Sequence, residues 1–206
     1  MKVLVWILAA VVGYLVAGIN PAIVFSKLIY HQDIRTLGSG NPGFTNFKRV
    51  FGNKYAWFVF ALDLLKSALV CFLFGLWFNA LFGWYQLGVA YTAVFSVIGH
   101  AYPIYYGFKG GKGFLVCLSV LYLLDWRAGL IATGVMVVLL LTVKYMSLAT
   151  MCALVTGALL LLPFGCDRIA ILLYALCVVF MIVRHRENIK RLLNHTESKF
   201  SLGSKH

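Results

Sequence analysis

Three stretches of the 206-residue chain gather the side chains that could hold an anion. The first reads Asp33-Ile34-Arg35, then Gly38-Ser39-Gly40-Asn41-Pro42-Gly43-Phe44-Thr45-Asn46, with Arg49 and Gly52 beyond. Glycines let a backbone turn sharply and bring its N–H groups close to a ligand. Ser39, Asn41, Thr45 and Asn46 add neutral polar groups, while Arg35, Lys48 and Arg49 add charge. Successive N–H groups beside an arginine fork suit a phosphate. Taken alone, the same text also fits a flexible loop whose cations merely report topology.

The second stretch reads Gly99-His100-Ala101-Tyr102-Pro103, then Phe108-Lys109-Gly110-Gly111-Lys112-Gly113-Phe114. Glycines around a lysine, directly before an apolar helix, could wrap the N–H groups of Gly110, Gly111 and Gly113 around a phosphate, with Lys112 as a point charge. It is not a nucleotide P-loop, because Lys112 is followed by Gly113 and position 106 is a tyrosine. A glycine hinge with lysines reaching for lipid headgroups is the plainer alternative. The third stretch, Arg184-His185-Arg186-Glu187-Asn188-Ile189-Lys190-Arg191-Leu192, is expected to continue the last apolar helix beyond the membrane surface, and Glu197 follows it. There, His185, Asn188 and Leu192 share one helical face, so a polar pair could point into a site while the leucine packs. The same cluster would also bind anionic lipid. Asp63 and Lys66, three apart inside an apolar run, are expected to pair and support the loops.

The elements that position these stretches follow from composition. Hydrophobic residues make up 62% of the chain and charged residues 12%, with a mean hydropathy of +0.90. A soluble domain carries about 25% charged residues, and this chain has too few to cover a water-facing surface. Apolar segments are expected at 3–19, 55–78, 84–99, 114–124, 128–143, 147–162 and 169–183. The run 114–124, about 17 Å as a helix, is too short to span comfortably and reads as a half-helix turning at Asp125-Trp126-Arg127. If the N-terminus lies outside, the inside stretches 20–54, 100–113, 144–146 and 184–206 hold fourteen Lys and Arg residues against three outside, with Lys66 inside a helix. That bias predicts an all-α, polytopic transmembrane helix bundle of about seven segments, some short or broken, N-out and C-in. The net charge of +12 therefore reports topology, and no nucleic-acid signature accompanies it. The five scattered cysteines form no C-x-x-C pair and read as small packing residues rather than disulfides or metal ligands.

Together these segments resemble the bacterial acyl-phosphate:glycerol-3-phosphate acyltransferase family. The matching text is D-I-R…G-S-G-N-P-G-x-T-N…R…G at 33–52, D-x-x-K at 63–66, G-H-x-Y-P…F-K-G-G-K-G at 99–113 and H-R-E-N-I-K-R-L-L…E at 185–197. The resemblance covers nearly the whole chain and implies a single integral-membrane acyltransferase domain over 1–206, multi-pass in a bacterial inner membrane with its site facing the cytoplasm. It implies transfer of a fatty acyl group from acyl phosphate to the sn-1 hydroxyl of glycerol 3-phosphate, giving lysophosphatidic acid and phosphate. The partners would be those substrates and membrane lipid, with no cofactor, no metal and no nucleic acid, and the working unit a monomer.

By the family pattern Ser39 and Arg49 bind glycerol 3-phosphate, with Gly40, Asn41, Thr45 and Asn46 around it. Gly110, Gly111, Lys112 and Gly113 hold the acyl phosphate. His185, Asn188 and Glu197 orient or brace the site, and Asp63, Lys66 and His100 support it. An H-x-x-x-x-D motif, as other glycerolipid acyltransferases use, is absent: the fifth residue after His31, His100, His185 and His195 is Thr36, Tyr105, Lys190 and Phe200. His185 is a general-base candidate by type, and the substrate's own phosphate is the favoured alternative. Departures from the pattern are Phe44, where the family usually has a small residue, Phe114-Leu115-Val116, and His195 in place of a usual glycine. A transporter or binding protein for a phosphorylated solute or lysophospholipid is the competing class. It would be expected to show paired repeats with broken helices at the midplane, which the sequence lacks. A structural membrane subunit would leave the loop glycines unexplained.

Overall fold

The computed structural model describes residues 2–200, whose regular structure is helical throughout. In chain order the helices are α1 (Lys2–Gly18), α2 (Pro21–Tyr30), α3 (Phe44–Phe51), α4 (Ala56–Phe82), α5 (Tyr85–Ala101), α6 (Phe114–Leu124), α7 (Trp126–Thr142), α8 (Met146–Leu161), α9 (Arg168–Arg184) and α10 (Arg186–Leu193). Every apolar segment expected from the sequence forms a helix. Among the described residues three stretches are long and apolar enough to cross a bilayer: α1 with α2, α4, and α5 with the turn after it. The bent pair α9 and α10 makes a fourth, while α6, α7 and α8 are shorter. At 27 residues α4 is about 40 Å long, and at 11 residues α6 is about 17 Å.

Helix α5 sits at the centre, packed by α1, α4, α6 and α9, while α7 and α8 pair with each other and pack on α6, with α8 also against α9. Small residues allow the close approach: Ala9, Ala17, Ala90 and Ala93 are fully buried. The outer faces stay apolar. On α1 the exposed residues Leu4, Ile7, Val11 and Leu15 form a stripe, which water would penalise and lipid accommodates.

The chain breaks where the sequence supplies caps. Between α1 and α2, the Asn20 side chain accepts from the Ile23 N–H at 3.1 Å and donates to the Pro42 carbonyl at 3.0 Å. This ties the break to the first glycine stretch. Between α6 and α7, the Asp125 carboxylate accepts from the N–H groups of Arg127 (2.9 Å) and Ala128 (3.2 Å).

Two expectations need correction. The stretch 20–54 is not a continuous loop, for it contains α2 and α3; Pro21 opens α2 at the position where a missing N–H is harmless. The last apolar helix does not run straight on past the surface: it bends by 57° at His185. There the chain leaves the apolar α9 for the strongly charged α10, which lies along a different axis.

Candidate active site

At the end of the bundle where the three stretches meet lies a cavity of ≈ 320 Å³. The first stretch contributes Ser39, Asn41, Thr45, Asn46 and Arg49, the second Lys112 and Gly113, and the third His185, Asn188 and Glu197. Asp63 and His100 reach it from α4 and α5. An apolar wall of Phe44, Trp57, Phe60, Phe114, Met136 and Leu140 completes it.

The first stretch is held by its own side chains. Asn46 accepts the Ser39 N–H at 2.9 Å and donates to the Leu37 carbonyl at the same distance, so its amide organises the loop rather than facing a ligand. Gly38 sits beneath it at φ +57°, where a Cβ would lie 2.4 Å from Asn46 Oδ1. Arg35 grips Asp33 with two nitrogens, and its other arm donates to the Tyr106 carbonyl at 2.7 Å, linking the first stretch to the second. The Arg35 guanidinium holds the Asp33 carboxyl down at about 2. Gly40 does not line the cavity, and its N–H donates to Leu37.

The second stretch departs from expectation. The N–H groups of Gly110 and Gly111 do not face a ligand: they donate to the carbonyls of Ala101 and His100, each at 3.1 Å. Gly111 is required because a Cβ there would meet His100 Nε2 at 2.2 Å. Lys112 carries the charge into the cavity and donates to the side-chain oxygen of Asn188. Burial, reinforced by Arg191, Arg184 and Arg49 and opposed by Glu197, lowers its ammonium from 10.5 to about 8.

The third stretch brings a neutral acceptor and a brace. The buried His185 ring lies 2.9 Å from the Met181 carbonyl through Nδ1. A carbonyl can only accept, so Nδ1 carries the proton and Nε2 keeps its lone pair. Burial, together with the Lys112 charge, pushes the imidazole down to about 4, so it is neutral near pH 7. Glu197 Oε1 accepts from Ser147 at 2.7 Å and from Asn188 at 2.6 Å, and Oε2 accepts from Arg191 at 2.7 Å. The tail after α10 thus folds back over the cavity, and Phe200 lies against Lys48 with the ammonium 5.0 Å from its ring.

The expected pair at membrane depth forms, with Lys66 Nζ 2.9 Å from Asp63 Oδ1. His100 Nδ1 joins at 3.4 Å from the same oxygen, and Lys66 also donates to the Ile19 carbonyl left open where α1 ends (2.7 Å). Lys66 itself does not line the cavity. Sequence reasoning missed Ser147, Arg191, Trp57, Phe60, Met136 and Leu140. Arg191 was legible in principle, three residues after Asn188 on a helix; the others sit in apolar runs that mark no site.

A cavity lined both by cations and neutral donors and by aromatic and aliphatic side chains can take an anionic head joined to an apolar tail. The pattern of the family described as "Glycerol-3-phosphate acyltransferase" matches residues 7–195. A glycerol-3-phosphate acyltransferase of Thermoanaerobacter sp. (strain X514) is 38% identical over 97% of this chain and 96% of its own. Glycerol-3-phosphate acyltransferase 2 of Thermotoga maritima is 36% identical over 96% and 97%. The crystal structure of PlsY (YgiH), an integral membrane glycerol 3-phosphate acyltransferase in its glycerol 3-phosphate form, superposes with a TM-score of 0.87 at 33% identity, covering 95% of this chain and 96% of that one. Its lysophosphatidic acid form gives a TM-score of 0.84 at 32% identity, covering 95% of both chains.

Proposed function

Because the chain belongs to the glycerol-3-phosphate acyltransferase family, we propose that it moves a fatty acyl group from acyl phosphate to the sn-1 hydroxyl of glycerol 3-phosphate. The hydroxyl oxygen attacks the acyl carbonyl, the C–O bond to phosphate breaks, and lysophosphatidic acid and inorganic phosphate leave. The observation that carries this reading is the single cavity shared by Ser39, Arg49, Lys112, His185 and Asn188, with an apolar wall beside them. Ser39 and Arg49 hold the glycerol 3-phosphate head, Lys112 neutralises the acyl phosphate, and the acyl chain lies along Phe60, Phe114, Met136 and Leu140.

Two anionic reactants repel one another, so cations that collect both supply much of the catalysis. Phosphate is already a good leaving group, and the remaining task is to remove the hydroxyl proton. Neutral His185, held down at about 4, is a weaker base than a phosphate monoester dianion, whose second ionisation lies near about 6. The substrate's own phosphate therefore takes the proton, and His185 Nε2 accepts a hydrogen bond that orients the hydroxyl.

The stretches 20–54, 100–113 and 184–200, which meet at the cavity, carry most of the Lys and Arg residues, which supports a cytoplasmic-facing site in a bacterial plasma membrane; the cavity is built within one copy of the chain. Purified protein given acyl phosphate tests the function: phosphate release that depends on glycerol 3-phosphate is the expected result. No release under any condition removes the reading.

A further inference from the structure

The backbone from which Lys112 projects runs through two residues, Gly110 and Gly111, that have no side chain to anchor it. Their N–H groups bond to the carbonyls of Ala101 and His100. Their own carbonyls face Arg184, the last residue of α9, whose Nη2 lies 3.4 Å from the Gly110 oxygen and 3.3 Å from the Gly111 oxygen. The Arg184 guanidinium sits over the Tyr102 ring at 4.9 Å, with Nη1 3.4 Å from the Tyr102 hydroxyl. Tyr102 is held in turn, since its carbonyl accepts from the Tyr14 hydroxyl of α1 at 2.7 Å. A planar guanidinium that stacks on an aromatic face, reaching two carbonyls with one nitrogen and a hydroxyl with the other, has a geometry that lysine does not reproduce. Arg184 and Tyr102 are both absent from the cavity wall.

We infer that Arg184 is a positioning residue: by clamping the Gly110 and Gly111 carbonyls against Tyr102 it fixes the backbone behind Lys112, and so the place of the ammonium beside Asn188. Misplacing a reacting group by about 1 Å can lower turnover about 10²-fold. The inference rests on the acyl-transfer reading for its kinetic assay. Lys112 is faced by Arg49 from α3, Arg184 from α9, His185 at the bend, Arg191 from α10 and Glu197 from the tail. Removing Arg184 takes away one of the cations that hold the Lys112 ammonium below its ordinary value. A role confined to the fold would leave that titration where it is.

Wild type, R184K and R184Q are compared for phosphate release between pH 6 and 10. R184Q should lose turnover about 10²-fold with the KM for glycerol 3-phosphate little changed, and its alkaline limb should move to higher pH. R184K keeps the charge and loses the fork, so its turnover falls while the limb stays at the wild-type pH. Full turnover in R184K, or an unmoved limb in R184Q, overturns the inference. Should R184Q fail to purify folded, R184K and Tyr102→Leu decide: both must lower turnover, and normal rates in the pair overturn it. Hydrogen exchange across 108–114 reads the clamp without any turnover, because the Gly110 and Gly111 amides are bonded in the folded protein. Faster exchange in R184K supports the clamp and unchanged exchange overturns it, even if wild type transfers no acyl group and the functional reading alone fails.

Discussion

Replacing Lys112 by methionine keeps the length of the side chain and removes its charge. Burial in the cavity lowers the ammonium from 10.5 to about 8, so keeping it charged there costs about 3 kcal/mol. A dianionic phosphate beside it reverses that cost and draws a proton onto the lysine. At pH 9 Lys112 in the empty protein is about one-tenth protonated, and binding should take up about 0.9 proton per site; at pH 7 the uptake should be about 0.1. The ligand is dodecyl phosphate, an inert monoester with the charge and tail of the donor, which ionises fully above its second pKa near about 6. Calorimetry in buffers of different ionisation enthalpy measures the uptake in the detergent-solubilised protein. Because the protonated form binds, wild-type affinity should fall about tenfold for each pH unit above 8. Lys112→Met should bind about ten- to a hundredfold more weakly at pH 7, the loss of one charge-assisted hydrogen bond, and should take up no proton at pH 9. No uptake by wild type at pH 9, or equal uptake by the variant, refutes the assignment of Lys112 as the buried cation of the phosphate site.

Glu197→Gln removes the one carboxylate that raises the Lys112 titration, so the alkaline limb of its pH–rate profile should move to lower pH, opposite to R184Q; a limb that stays in place shows that Glu197 does not act on Lys112. Gly111→Ala has no room, its Cβ falling 2.2 Å from His100 Nε2, and should destabilise the protein by about 1–3 kcal/mol, read as a lower melting temperature. An unchanged melting temperature would mean that the loop backbone yields without strain.

Much of this arrangement was legible in the sequence because membrane helices announce themselves through long apolar runs. The limits of α6 match the apolar run at Phe114 and Leu124, where Gly113 and Asp125 bound it. The short helices α2 and α3 were not legible: α3 has a charged face and only eight residues, and within a glycine-rich stretch such a pattern resembles a loop. The bend at His185 was hidden for a different reason. Nothing in Val183-Arg184-His185-Arg186 breaks a helix; at the bend Arg184 reaches the distant Gly110 carbonyl, while the His185 ring lies against the Met181 carbonyl of its own helix. The glycines of the second stretch were read as phosphate binders from their spacing, yet Gly110 and Gly111 answer to steric crowding from His100. Spacing reports that a backbone must come close to something, and only coordinates tell whether that neighbour is a ligand or the protein itself.

The tie made by Glu197 has an implication for biogenesis. Its carboxylate joins Ser147 on α8 to Asn188 and Arg191 on α10, and Asn188 is in turn the partner of Lys112. A nascent chain can therefore insert all its hydrophobic helices and still lack a finished reaction centre. On the proposed site, closing that clasp is the last step to activity, and a bulky fusion at the carboxyl end that drags this segment aside is expected to yield a well-inserted but silent enzyme.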